Sequence, residues 1–231
     1  MPSKAFLKFV ENRHDVLLLW HAHREMLGKT KKLNSKAEVI NRATIVFITA
    51  FWESYIEDLA EEAYNILLGS SAGESVVPNM VRSGISRTLQ ESNNPLNLWQ
   101  LAGDGWRTLL NDHKDRILKE RIEYFHSPKS EKVKELFSDL LGIRDITRFW
   151  VNDTLDANAC RVRLDEFITM RGNIAHRIRH DKRVFKRNAK DYMSLVNFLC
   201  TATDNAVLQH LYATTGSEPW KDLAENPGNI S

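Results

Sequence analysis

Cysteine is almost absent from this 231-residue chain: there are two, Cys160 and Cys200, in no CxxC or Cys/His spacing. A disulfide framework and a structural zinc site are therefore excluded as organising features. Long apolar runs are missing as well. The longest, residues 16–20 and 43–52, the second interrupted by Thr44 and Thr49, fall well short of the roughly 20 residues that span a bilayer. No basic stretch followed by an apolar run opens the sequence, so no secretory leader is expected. Ten glycines and six prolines, without a period, exclude collagen and low complexity. Nor does one sign of charge dominate. The 32 Lys and Arg nearly balance 30 Asp and Glu, for a net charge of +2, which excludes a uniformly basic nucleic-acid coat but leaves local patches open. With 42% hydrophobic residues, a chain of this length can bury roughly 70% of its unfolded surface. These features describe a globular protein expected to be soluble, cytoplasmic and without membrane contacts.

Strand signals are missing too, since no period-2 alternation is bounded by turn dipeptides such as Asn-Gly. What is present is helical. Ser3 can cap a first helix reaching about residue 27, with Phe6, Val10, Leu17 and Trp20 near helical spacing and Gly28 after it. Ser35 can cap a long second helix to about residue 68, closed by Gly69, with Val39, Ala43, Val46 and Ala50 recurring every three or four residues. Residues 70–105 hold six glycines or prolines and predict short helices and loops inserted between bundle helices. Further helices are predicted at about 106–119, 130–141, 158–179 and 186–214. The fold class is therefore all-α, an up-and-down helical bundle with an inserted loop and short-helix region. The expected organisation is an N-terminal helix and loop over 1–34, a helical domain over 35–215 with its insert at about 70–105, and a flexible tail over 216–231.

Charge is unevenly placed along the chain. Residues 161–190 carry ten Lys or Arg against three acids, whereas residues 44–63 carry five acids (Glu53, Glu57, Asp58, Glu61, Glu62) and no base. Either run can be a solvated face. Clustered Arg and Lys are also the electrostatic footprint of phosphate binding. Inside the basic run lies Met170-Arg171-Gly172-Asn173-Ile174-Ala175-His176-Arg177, an Arg followed five positions later by a His. Earlier comes Phe51-Trp52-Glu53-Ser54-Tyr55-Ile56-Glu57-Asp58-Leu59. Together and in this order, in a helical chain, the two segments resemble the R-x(4–6)-H signature and the second-helix motif of the HEPN superfamily, in its RiboL-PSP-type branch. The position after the Arg is Gly172 here, with Asn173 one further on.

The resemblance implies metal-independent endoribonuclease activity in a homodimer whose active site is shared between protomers. It also implies a toxin or antiviral effector role, with RNA as substrate and an antitoxin protein as a partner. The chemistry of the residues agrees. RNA can be cut by its own 2′-hydroxyl, so the protein needs neither a nucleophile nor a metal, and no cofactor is expected. It needs a group that moves protons near neutral pH, the work of His. It also needs a fixed planar cation over the phosphate oxygens, the work of Arg. His176 is thus the candidate general acid/base and Arg171 the transition-state stabiliser. Asn173 and Glu53 are supporting candidates, while Arg177, Arg179 and Arg183 are candidates for flanking phosphates. On a straight helix Arg171 and His176 stand about 140° apart. Either the helix breaks at Gly172-Asn173 or two protomers each lend a group to one cleft, and the second agrees with the resemblance.

Other assignments stay open at this level. Arg171 can be a structural partner of Glu53 or Glu57. His176 and His180 have the i, i+4 spacing of a metal pair, but Arg177 and Arg179 between them repel a cation, so no metal site is expected. His21 and His23 are expected on the surface, and Trp52 and Tyr55 in the core or an interface. A catalytically silent module that binds RNA or a nucleotide, and a helical interaction scaffold, are the alternative functions.

Overall fold

A computed structural model of the chain describes residues 1–27, 35–70, 73–91, 94–176 and 183–223. Among them there are seven α-helices and no strand: α1 (Lys4–Leu27), α2 (Ser35–Gly69), α3 (Asn79–Glu91), α4 (Gly105–Glu123), α5 (Ser130–Leu141), α6 (Ala157–Ala175) and α7 (Lys186–Thr215). Short 3-10 turns occupy Glu74–Val76, Pro95–Leu101 and Ile146–Phe149. Two of the helices, α1 and α6, start at side-chain caps. The Ser3 hydroxyl accepts from the Phe6 amide at 3.0 Å, and the Asp156 carboxylate from the Ala159 amide at 2.7 Å, each satisfying a donor that a helix start leaves orphaned. The first amides of α1 also find Glu62 of α2, which accepts from Lys4 at 3.2 Å and Ala5 at 3.1 Å. At the other end of α7, Gly216 takes φ 72°, a left-handed cap that glycine adopts without steric cost.

α2 is the central helix, packed against α1, α5, α6 and α7. Its Trp52 and Tyr55 lie in the core, not on a binding surface: both are at most 1% exposed. Trp52 meets Trp150 edge-on with ring centroids 5.9 Å apart, a favoured aromatic geometry. The polar group of each of these three rings, Trp52, Trp150 and Tyr55, has a partner. The Trp52 indole donates to Pro128 O at 3.0 Å, the Trp150 indole to Thr203 Oγ1 at 2.9 Å, and the Tyr55 hydroxyl to Cys200 O at 2.7 Å. The inserted region supplies α3, whose Val81, Ile85 and Leu89 join the same core.

Three differences from the sequence expectations have physical causes. α4 runs to Glu123, past the expected end near 119, because Ile122 and the buried Phe125 still pack on the core. His23 is buried, 3% exposed, and not on the surface; the end of α1 packs beside the start of α7, where Lys186 Nζ stands 5.9 Å over the Trp20 ring. The burial and the Lys186 charge both lower the His23 pKa. Finally, the aperiodic tail is docked as far as Leu223. The Asn205 amide donates to Leu223 O at 2.9 Å and accepts from its N–H at 2.8 Å, and Trp220 is buried nearby.

Candidate functional site

The site sits where α6 crosses α2. The two helices run antiparallel: Asn41 near the start of α2 donates to Val184 O, beyond the end of α6, at 2.9 Å. Farther along, Trp52 bonds Pro128, and two residues on, Ser130 gives its N–H and hydroxyl to Asp165 in the first half of α6 at 2.8 and 3.0 Å. Between these ties Phe167 of α6 stacks on Tyr192 of α7, centroids 4.3 Å apart and planes 12° apart. The Tyr192 hydroxyl is 3.0 Å from Thr49 Oγ1.

Arg171 is one turn beyond Phe167 on α6. Helical side chains lean toward the N-terminus, so Arg171 reaches back toward Tyr192 and Glu53, and its charge acts on both groups. Its Nε is buried and has no hydrogen-bond partner among the described residues. Among those residues neither Glu53 nor Glu57 forms an ion pair with it. Glu53 is a half-buried carboxylate. Burial pushes its pKa up, and the Arg171 charge, the His126 charge and the Ser127 backbone N–H pull it back down. Glu57, one turn on, is pushed up to about 7 by burial first and then by Glu53 and Asp58, against the pull of Lys8. The acidic half of α2 is thus put to use along its length: Asp58 pairs with Lys8 at 2.8 Å, Glu62 caps α1, and Glu53 faces Arg171.

α6 continues unbroken through Gly172 and closes on His176, whose N–H bonds Gly172 O at 3.0 Å. The helix break at Gly172-Asn173 is therefore not how Arg171 and His176 are brought together. A Cβ at Gly172 would meet nothing within 4 Å, so no close approach demands glycine. Phe167, Met170 and Ile174 pack on the core as the stripe requires, which leaves His176 exposed on the far side. Within one chain, Arg171 and His176 do not converge.

A groove of about 980 Å3 opens on the flank of α6, lined by Arg42, Met170, Asn173, Ile174, Arg183 and Phe185, among others. Two of the candidate residues, Asn173 and Arg183, are on its wall; Arg177, Arg179 and His180 lie outside the described residues. No group of three or more metal-ligating side chains occurs among the described residues. The residue that motif reasoning passes over is His126. It belongs to the loop before α5, far from both motifs in sequence, and the Trp52–Pro128 contact helps to bring that loop to the part of α2 that carries Glu53, on which the His126 charge acts.

A family model described as RiboL-PSP-HEPN matches residues 23–209. No curated protein and no solved structure gave a significant match.

Proposed function

Because the chain belongs to the RiboL-PSP-HEPN family, we propose that it is an endoribonuclease that cuts RNA by 2′-hydroxyl attack without a metal. The observation that carries this is Arg171 of α6, a permanent cation with its Nε buried, whose charge acts on the half-buried Glu53 carboxylate of α2, while α6 itself ends in the exposed imidazole of His176. Such a guanidinium is preorganised, so it stabilises charge developing on a phosphorane without reorganising. His176 moves the proton of the attacking hydroxyl. Asn173, Arg42 and Arg183 on the adjoining groove hold the flanking backbone, with Arg177 and Arg179 as further phosphate contacts. Arg171 and His176 face different sides of α6, so the working cleft combines Arg171 of one protomer with His176 of a second copy. A toxin or antiviral role, restrained by an antitoxin protein, belongs to the same proposal. No described helix is long and apolar enough to cross a membrane.

The test is cleavage of an end-labelled single-stranded RNA in EDTA by wild type, Arg171→Ala and His176→Ala. Cutting by wild type alone, leaving 2′,3′-cyclic phosphate ends, is the expected result. The divergence of Arg171 and His176 within one chain favours a second reading, a module that binds RNA without cutting it. Retention of the RNA by folded wild type, with no cleavage in any sample, selects that reading.

A further inference from the structure

Resting on the ribonuclease reading, we propose that His126 is a second catalytic histidine of the Arg171 site, the one that protonates the departing 5′-oxygen. The loop that carries it is pinned on both sides. Phe125 is buried in the core, Trp52 of α2 donates to Pro128 O at 3.0 Å, and Ser130 is held by both oxygens of Asp165 on α6. Between these pins Ser127 adopts φ 65°, the one non-glycine residue with positive φ among those described. A left-handed conformation costs an ordinary L-residue about 1–2 kcal/mol, and such strain persists only where the surroundings enforce it. The tight turn is closed by Lys129 N–H to Ser127 O at 2.7 Å and His126 N–H to Tyr124 O at 3.0 Å.

That conformation sets the Ser127 N–H toward the Glu53 carboxylate, next to the Trp52 that holds Pro128, and leaves His126 exposed one residue earlier, so that the charges of His126 and of Arg171 from α6 both act on that carboxylate. Glu53 is then shared by two cations of different kinds. Arg171 is permanent and suits the phosphate oxygens; His126 can give its proton away. Glu53 supplies a countercharge for an imidazolium, while the pinned loop sets where the ring stands. Other acids stand around this loop: Glu57, one turn on along α2, feels the charges of Glu53 and Asp58, and Asp165 of α6 holds Ser130.

Cleavage by internal attack requires two proton transfers, and the R-x(4)-H motif supplies one histidine per chain. In the proposed step the bond from O2′ to phosphorus forms as the bond from phosphorus to O5′ breaks. The proton of the 2′-hydroxyl passes to the neutral imidazole of His176 from the second copy. The His126 imidazolium gives its proton to O5′. The products are a 2′,3′-cyclic phosphate and a 5′-hydroxyl, and both rings return to their starting states by exchange with water.

A substrate with sulfur in place of the bridging 5′-oxygen separates this role from a structural one, because a thiolate leaves without being protonated. Wild type, His126→Ala and His176→Ala are compared on matched oxygen- and sulfur-bridged RNAs. The expected result is a loss of about 100-fold or more for His126→Ala on the oxygen linkage, with near wild-type cleavage of the sulfur linkage. His176→Ala should lose both. Equal losses on the two substrates, or none on either, would overturn the assignment to His126 while leaving the ribonuclease reading intact. Failure of wild type to cut either substrate overturns both.

Discussion

Asp204 shows what full enclosure does to one carboxyl group. It is 0% exposed, and burial pushes its pKa from 3.8 up to about 7, with the hydrogen bonds from Ser3 pulling it down and Glu62 adding to the rise. An acid whose folded pKa lies above its unfolded value keeps its proton longer when folded. Between pH 3.8 and about 7 the native state binds more protons, so stability falls as pH rises through that window. Roughly three pKa units correspond to about 4 kcal/mol at most. Asp204→Asn keeps an acceptor for the Ser3 hydroxyl and removes the charge. Its Tm should exceed that of wild type more at pH 8 than at pH 5, by thermal melts at both; a pH-independent difference contradicts the assignment. At this scale the sequence yields Arg171, His176, Asn173 and Glu53 as candidates, because spacing and motif order are one-dimensional. His126 and the burial of His23 are not legible there, since each depends on which distant side chain a loop or helix end happens to meet. Trp52 holding Pro128 is invisible until α2 and the loop before α5 lie side by side.

Helices were legible for a local reason: caps and periodicity are written within one or two turns. Ser3, Ser35 and Gly69 mark starts and a stop that the structure keeps to within a residue, whereas the extension of α4 to Glu123 depends on tertiary contacts of Ile122 and Phe125. α6 gives the sharpest case. Glycine within a helix invites the expectation of a break, but the neighbouring turns of α6 are held by Phe167, Met170 and Ile174 on the core, and packing outweighs the propensity penalty of about 1 kcal/mol. Since a Cβ at Gly172 enters open space, Gly172→Ala should stabilise the protein by about 0.5–1 kcal/mol through the unfolded state and helix propensity. Chemical denaturation with the m-value unchanged is the check. Destabilisation would mean that the position is filled in the assembled protein, by a second copy or by RNA.

The arrangement of the whole molecule depends on α6 staying straight. Arg171 leans back along the helix toward Glu53, while His176 closes the final turn and is exposed on the opposite side. In the proposed homodimer a twofold axis would resolve this, since the same patch on two copies would bring Arg171 of each toward His176 of the other. Two composite sites follow, and subunit mixing distinguishes them from sites contained in one chain. Arg171→Ala and His176→Ala are each inactive under the proposal. In a heterodimer of the two, one site loses both groups and the other keeps both. Unfolding and refolding an equal mixture should make about half the dimers mixed, each with one intact site, and so restore about a quarter of wild-type cleavage. Activity in the refolded mixture but in neither parent, scaling with the mixed dimer resolved by differently tagged chains, is the expected outcome. If Arg171 and His176 served the same site from one chain, every site in every combination would lack one of them, and refolding would restore nothing.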